Sequence, residues 1–123
     1  MPWKKEHAMR HDRLDGMVKG WFVGDFSPVA LQSASCEVAI KHYAAGDHEA
    51  AHEHRIATEV TAIVSGRVLM MGQEWGEGDI LTIPPGEATD FTALTDVITV
   101  VVKTPSVPND KYILASNNID DGL

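Results

Sequence analysis

A chain of 123 residues, 44% of them apolar, has room for one packed core and not for two. Its formal charge of −8 disfavours nucleic acid and anionic membrane as partners, because the long-range field repels phosphate. No apolar run approaches the roughly 20 residues of a bilayer-spanning helix, and no signal-peptide pattern opens the sequence. Cys36 is the only cysteine, which excludes an internal disulfide and suits a reducing, cytoplasmic location.

Residues 1–20 hold five of the ten basic side chains, Lys4, Lys5, Arg10, Arg13 and Lys19, mixed with single apolar residues and no period. An irregular surface arm is expected there. His7 and His11 stand four apart in it, with nothing to complete a metal site. The remainder sets five basic residues against fifteen acidic ones. Lys41, Arg55 or Arg67 could still meet an anionic ligand such as a nucleotide sugar locally.

From Trp21 the texture changes. "WFVGDFSP", "CEVAIKHY", "TEVTAIVSG", "RVLMMGQEW", "GDILTIPPG", "TDFTAL" and "DVITVVVKTP" are rich in β-branched and aromatic residues and are parted by Gly, Pro and Asp. Short strands at such spacing predict an all-β sandwich or barrel, one domain over 21–115. "SVPNDKYILASNNIDDGL" reads as a closing loop, one more strand near 112–114, and a polar tail over 116–123.

The chemistry concentrates in "GDHEAAHEHRIATEVTAIVSG", residues 46–66. On a strand, residues two apart share a face, so His52 and His54 project together. Glu59 opens the next apolar run, and pairing of that run with the histidine strand would bring its carboxylate to both imidazoles. Burying these groups alone is unfavourable, whereas a divalent ion or a polyhydroxylated ligand would satisfy all three. Two imidazoles and a carboxylate suit iron, manganese, nickel or zinc. His48, Glu49 and Glu53 read as solvated. In "CEVAIKHY", Val38 and Ile40 are expected to face the core, which carries His42 inward as an acid or base and leaves Glu37, Lys41 and Tyr43 outside.

At these residues the sequence resembles the cupin superfamily. That family's first motif is Gly, five residues, His-x-His, three or four residues, Glu, six residues, Gly; here Gly46, His52, His54, Glu59 and Gly66 fill every fixed position. The second is Gly, five residues, Pro-x-Gly, two residues, His. Gly78, Pro84 and Gly86 match, but Thr89 stands where the histidine belongs. The resemblance covers about 36–104 and implies a double-stranded β-helix (a jelly-roll barrel) that forms homodimers, with "WFVGDF" and the Val60, Ala62, Val64 face as contact surfaces.

It also implies a divalent metal held by His52, His54 and Glu59, beside which His42, by its alternation, would be a proton carrier. The ordinary fourth ligand is absent, so more coordination positions stay open. Thr89 and Phe91 share a parity and are expected to line the substrate cavity; Asp90 would join them only through a bulge. Three functions follow from the resemblance. The first is a metal-dependent oxygenase or isomerase of a small polar molecule, such as a sugar or carboxylate. The others are a metal-free epimerase or ketoisomerase of nucleotide-linked sugars, and a non-catalytic binding module.

Overall fold

The computed structural model describes residues 9–114. The polar tail over 116–123 and the start of the basic arm, His7 included, lie outside the described residues. The chain is built from strands β1 (Trp21–Gly24), β2 (Leu31–Gln32), β3 (Glu37–Tyr43), β4 (His48–Glu53), β5 (Thr58–Ser65), β6 (Arg67–Met70), β7 (Gln73–Gly76), β8 (Ile80–Ile83), β9 (Thr89–Ala93), β10 (Val97–Thr104) and β11 (Tyr112–Ile113). A short 3-10 turn, Leu14–Gly16, precedes them. Two sheets result, with strand orders β2-β1-β3-β10-β5-β8 and β11-β4-β9-β6-β7.

Local chemistry explains the corners. "RVLMMGQEW" splits into the β6–β7 hairpin because Met71 and Gly72 both take positive φ, 53° and 75°, as a tight two-residue turn requires. The Asp90 carboxylate on β9 accepts the Met71 N–H at 2.8 Å and holds that turn. Gly66, between β5 and β6, has φ 91°, and a Cβ there would lie 2.2 Å from the Asp96 carbonyl oxygen. Only glycine fits that crossing.

Between the sheets the interior is divided along its length. At one end Ile63, Val68, Met70, Ile83, Phe91 and Val97 form a buried apolar cluster, with Tyr43, Trp75 and Leu81 packed against it. At the other end the inward positions of the same strands are polar. On β10 the inward row is Val97, Thr99, Val101 and Lys103; on β5 it is Glu59, Thr61 and Ile63. Val60, Ala62 and Val64 face outward, and Val64 is 47% exposed.

Strand β3 runs opposite to the expected parity. Ala39 is wholly buried, Lys41 and Tyr43 border the interior cavity, and His42 is exposed. Val38 and Ile40 are apolar for a different reason. They lie on the outer face, where Ile40 borders a surface groove together with Leu14, Met17 and Phe22 of the arm and β1. Main-chain contact also binds the arm there, since Ile40 N–H donates to the Gly20 carbonyl at 3.1 Å. The arm thus lies along the outer face of β3, where Val38 and Ile40 are half-buried.

Candidate metal centre and its cavity

Strand β4 carries the histidines, and its ladder with β9 is interrupted. Glu49 pairs with Phe91 and His52 with Thr89, so Ala50 and Ala51 together oppose Asp90. This β-bulge resets the parity. Glu49 and His52, three apart, both border the cavity, while His48 and Glu53 turn outward. Glu49 is therefore not a solvated loop residue; its Oε2 accepts the Tyr43 hydroxyl at 3.3 Å.

Strand β5 does not pair with β4. It lies in the opposite sheet between β10 and β8, so Glu59 meets the histidines from across the barrel. The loop between the two strands sets that approach, and a buried carboxylate holds the loop. Asp110, 4% exposed, accepts the N–H groups of Arg55 at 2.9 Å, Ile56 at 3.1 Å and Ala57 at 2.9 Å. The carbonyl of the same residue accepts Nδ1–H of His54 at 2.6 Å.

One potential ligand atom from each of His52, His54 and Glu59 falls within 4.8 Å of the others. His52 Nδ1 donates to the Ala50 carbonyl at 3.0 Å. Because a carbonyl only accepts, both imidazoles carry their proton on Nδ1, leaving Nε2 for an ion. Glu59 Oε1 lies 3.0 Å from His54 Nε2, and Oε2 accepts the Thr61 hydroxyl at 2.7 Å. The donor set, its fixed tautomers and its spacing fit a divalent metal.

Without an ion, the His54–Glu59 contact is an ion pair wherever the imidazole is protonated. The hydrogen bond to Glu59 raises the His54 pKa above its ordinary value, against the effect of burial. Burial alone would push Glu59 up, but hydrogen bonds from His54 and Thr61 outweigh it and hold the carboxyl below its usual range. Burial lowers His52, which stays neutral near pH 7.

Known structures share this architecture. An uncharacterised conserved protein with a double-stranded β-helix domain from Klebsiella pneumoniae matches with a TM-score of 0.64 at 20% identity, over 88% of this chain and 99% of that one. DMSP lyase DddQ from Ruegeria pomeroyi gives a TM-score of 0.66 at 20% identity, over 80% of this chain and 52% of the other. An RmlC-like cupin from Shewanella frigidimarina gives 0.57 at 19% identity, over 62% and 71%. The chain has the cupin fold. No protein-family model and no curated protein matches it.

In this cupin-like fold the centre opens on a cavity of about 250 Å³. Thr89, Asp90 and Phe91 all border it, although the Asp90 carboxylate is turned to the β6–β7 hairpin. Phe91 forms the boundary with the apolar cluster and stacks on Tyr43, ring centres 4.4 Å apart. His42 is on the other side of the wall, so the inward acid–base role expected of it has no geometric basis. Trp21, expected at a subunit contact, borders the cavity with Lys103 Nζ 4.8 Å from its ring centre. Arg55 and Arg67 do not border it; they pair with Glu53 and Glu74 at 2.9 and 2.7 Å.

The sequence reading missed Tyr43, Glu49, Thr61, Thr99, Lys103 and Asp110. A signal existed for β3. The rule that sent the polar Glu59 face inward, applied to this strand of the same sheet, would have sent Glu37, Lys41 and Tyr43 inward too. The β4 bulge and the role of Asp110, 53 to 56 positions from its partners, have no local signature.

Asp110→Ala leaves the Arg55, Ile56 and Ala57 N–H groups without their acceptor and frees the loop that carries the carbonyl held by His54, and should destabilise the protein by on the order of 3 kcal/mol in urea titrations. Metal affinity should fall with it. The ion pair gives a pH window to the chelated protein. The raised His54 contributes fully below its unfolded value near 6.5 and loses that contribution as pH rises through its folded pKa. The lowered Glu59 contributes above its unfolded value near 4.5 and loses it as pH falls through its folded pKa. The melting temperature in EDTA should therefore exceed that of Glu59→Gln most between these two values, the gap narrowing on either side.

Proposed function

We propose that this cupin is a metal-dependent enzyme of the oxygenase or isomerase type acting on a small polar molecule. Its metal ligands are His52, His54 and Glu59. The observation that carries this reading is the convergence of three ligand atoms within 4.8 Å, two from imidazoles whose Nδ1–H groups are held by backbone carbonyls. A divalent ion there would supply Lewis acidity and free coordination positions for substrate.

The protein's own groups do the rest. Asp110 and Ala50 hold the imidazole planes, and Thr61 orients the carboxylate. Phe91 and Met70 close the floor of the cavity against the apolar cluster. Tyr43, whose pKa is raised by burial and by the neighbouring Glu49 charge, stays protonated; its proton goes to Glu49, and its oxygen can accept a hydrogen bond from a bound ligand. The fold does not choose the reaction, since its relatives bear unlike names.

A second reading rests on the 3.0 Å contact between His54 and Glu59. A buried imidazole–carboxylate pair can transfer protons without an ion, as an epimerase or ketoisomerase of sugars requires.

Elemental analysis of untagged protein distinguishes them: about one metal per chain is expected, lost in His52→Ala and His54→Ala. Thr89 stands directly opposite His52 on the neighbouring strand, a position about 4.5–5.5 Å away between Cβ atoms. Thr89→His should add a fourth ligand and tighten metal binding about tenfold or more. Full activity in protein shown to hold no metal would refute the metal-dependent reading and favour the second.

A further inference from the structure

The charge of the cavity does not follow the charge of the chain. Four of the ten basic residues, Lys19, Lys41, Lys103 and Lys111, border it in a protein of formal charge −8. Lys103 is committed to Glu37, Nζ to Oε1 at 3.2 Å, and Ser106 donates to the other oxygen of that buried carboxylate. Lys41 is placed differently. Its Nζ donates to the neutral carbonyl of Lys19 at 3.2 Å and sits 5.1 Å from the centre of the Trp21 ring. An ammonium has three donors, and these contacts leave it capacity for an anion.

Directly opposite Lys41 on β10 stands Thr99, 1% exposed. Its Oγ1 is the one buried side-chain polar atom without a hydrogen-bond partner among the described residues. Such orphans are rare because the hydroxyl gives up water and receives nothing. Thr99 borders the cavity, and its position faces that of Lys41 at the spacing of a cross-strand pair. A partly dehydrated cation and an unused hydroxyl therefore occupy adjoining places on one wall.

We propose that Lys41 and Thr99 form an oxyanion subsite, so that the molecule entering the cavity is a small acid carrying one carboxylate or phosphate group. That group takes a charge-assisted hydrogen bond from Lys41 Nζ and the Thr99 hydroxyl proton. The other end of the molecule reaches His52, His54 and Glu59, a clause that rests on the proposed function, whereas the subsite stands without it. Size narrows the class. A cavity of about 250 Å³ suits a short acid. Glu49 and Glu59 on the remaining walls oppose a second anionic group.

The test is calorimetry and thermal shift on the full chain, once with EDTA and once with added zinc or manganese. The probes are short hydroxy- and oxo-acids, lactate among them, each against its amide, and inorganic phosphate. The acid should stabilise the protein and its amide should not; the carboxylate and phosphate arms identify which oxyanion is taken. Lys41→Met and Thr99→Val should each weaken binding about tenfold. Thr99→Val should also raise the melting temperature of the ligand-free protein, which separates loss of a ligand contact from loss of fold.

Amides binding as well as acids, unchanged affinity in both variants, or no binding of any acid or phosphate at millimolar concentration would overturn the subsite. Acid binding that needs added metal and ignores Lys41 would overturn it while leaving the metal centre intact. Lys41-dependent binding in EDTA by a protein that takes up no metal would do the reverse.

Discussion

Asp110 joins pieces of chain that no strand ladder connects. β4 and β5 belong to different sheets, so hydrogen-bonded register cannot fix the distance from His54 to Glu59. Only the loop over 55–57 links them, and a short polar loop would otherwise sample many arrangements. The Asp110 carboxylate gathers the three N–H groups of that loop while its carbonyl fixes the imidazole plane of His54. Burial would raise the pKa of such a carboxyl, but the three N–H donors outweigh it and hold the group below its usual range. The clamp is thus charged wherever the protein is folded near neutral pH, and the site inherits its geometry from it.

That geometry sits within a barrel whose two ends have opposite economies. The apolar end from Val97 to Phe91 supplies transfer free energy and packing. The polar end holds carboxylates, imidazoles and ammonium groups that lose hydration on folding. Nearly all are matched: Glu37 by Lys103 and Ser106, Glu59 by His54 and Thr61, Glu49 by Tyr43. A buried ion pair adds little net stability compared with apolar packing of similar volume. The polar residues are therefore better explained by what the cavity holds than by what the fold requires.

How much of this was legible depended on whether a signal was local. The strands over 37–43, 58–65, 89–93 and 97–104 were visible as β-branched runs between turn residues, and the two cupin-like motifs located His52, His54, Glu59 and Thr89. β2 was not anticipated, since two exposed residues carry no pattern. The parity of β3 was misjudged because Val38 and Ile40 look like core residues. Alternation says which residues share a face and never which face is inside, and here the outer one is half-buried beside the arm. The bulge at Ala50–Ala51 escaped for a related reason: it inverts parity within a single strand and leaves two small, neutral residues as its only trace.

The same distinction between outside and inside governs charge. A formal charge of −8 describes the field met by a partner approaching from solvent, and salt attenuates that field over a Debye length of about 8–10 Å. It bears on nucleic acid and membranes, which must lie against the outer surface. A small anion that enters the barrel meets a different sum, in which Lys41 and Lys103 stand in the wall and effective dielectric screening is weaker. Burial lowers the Lys41 pKa from its ordinary value, a sign that its charge is already partly stripped of water. A cation in that condition gains more from an incoming oxyanion than a solvated one does, since part of the dehydration has been completed by folding. An acidic protein can thus exclude polyanions by its exterior and select a small anion by its interior.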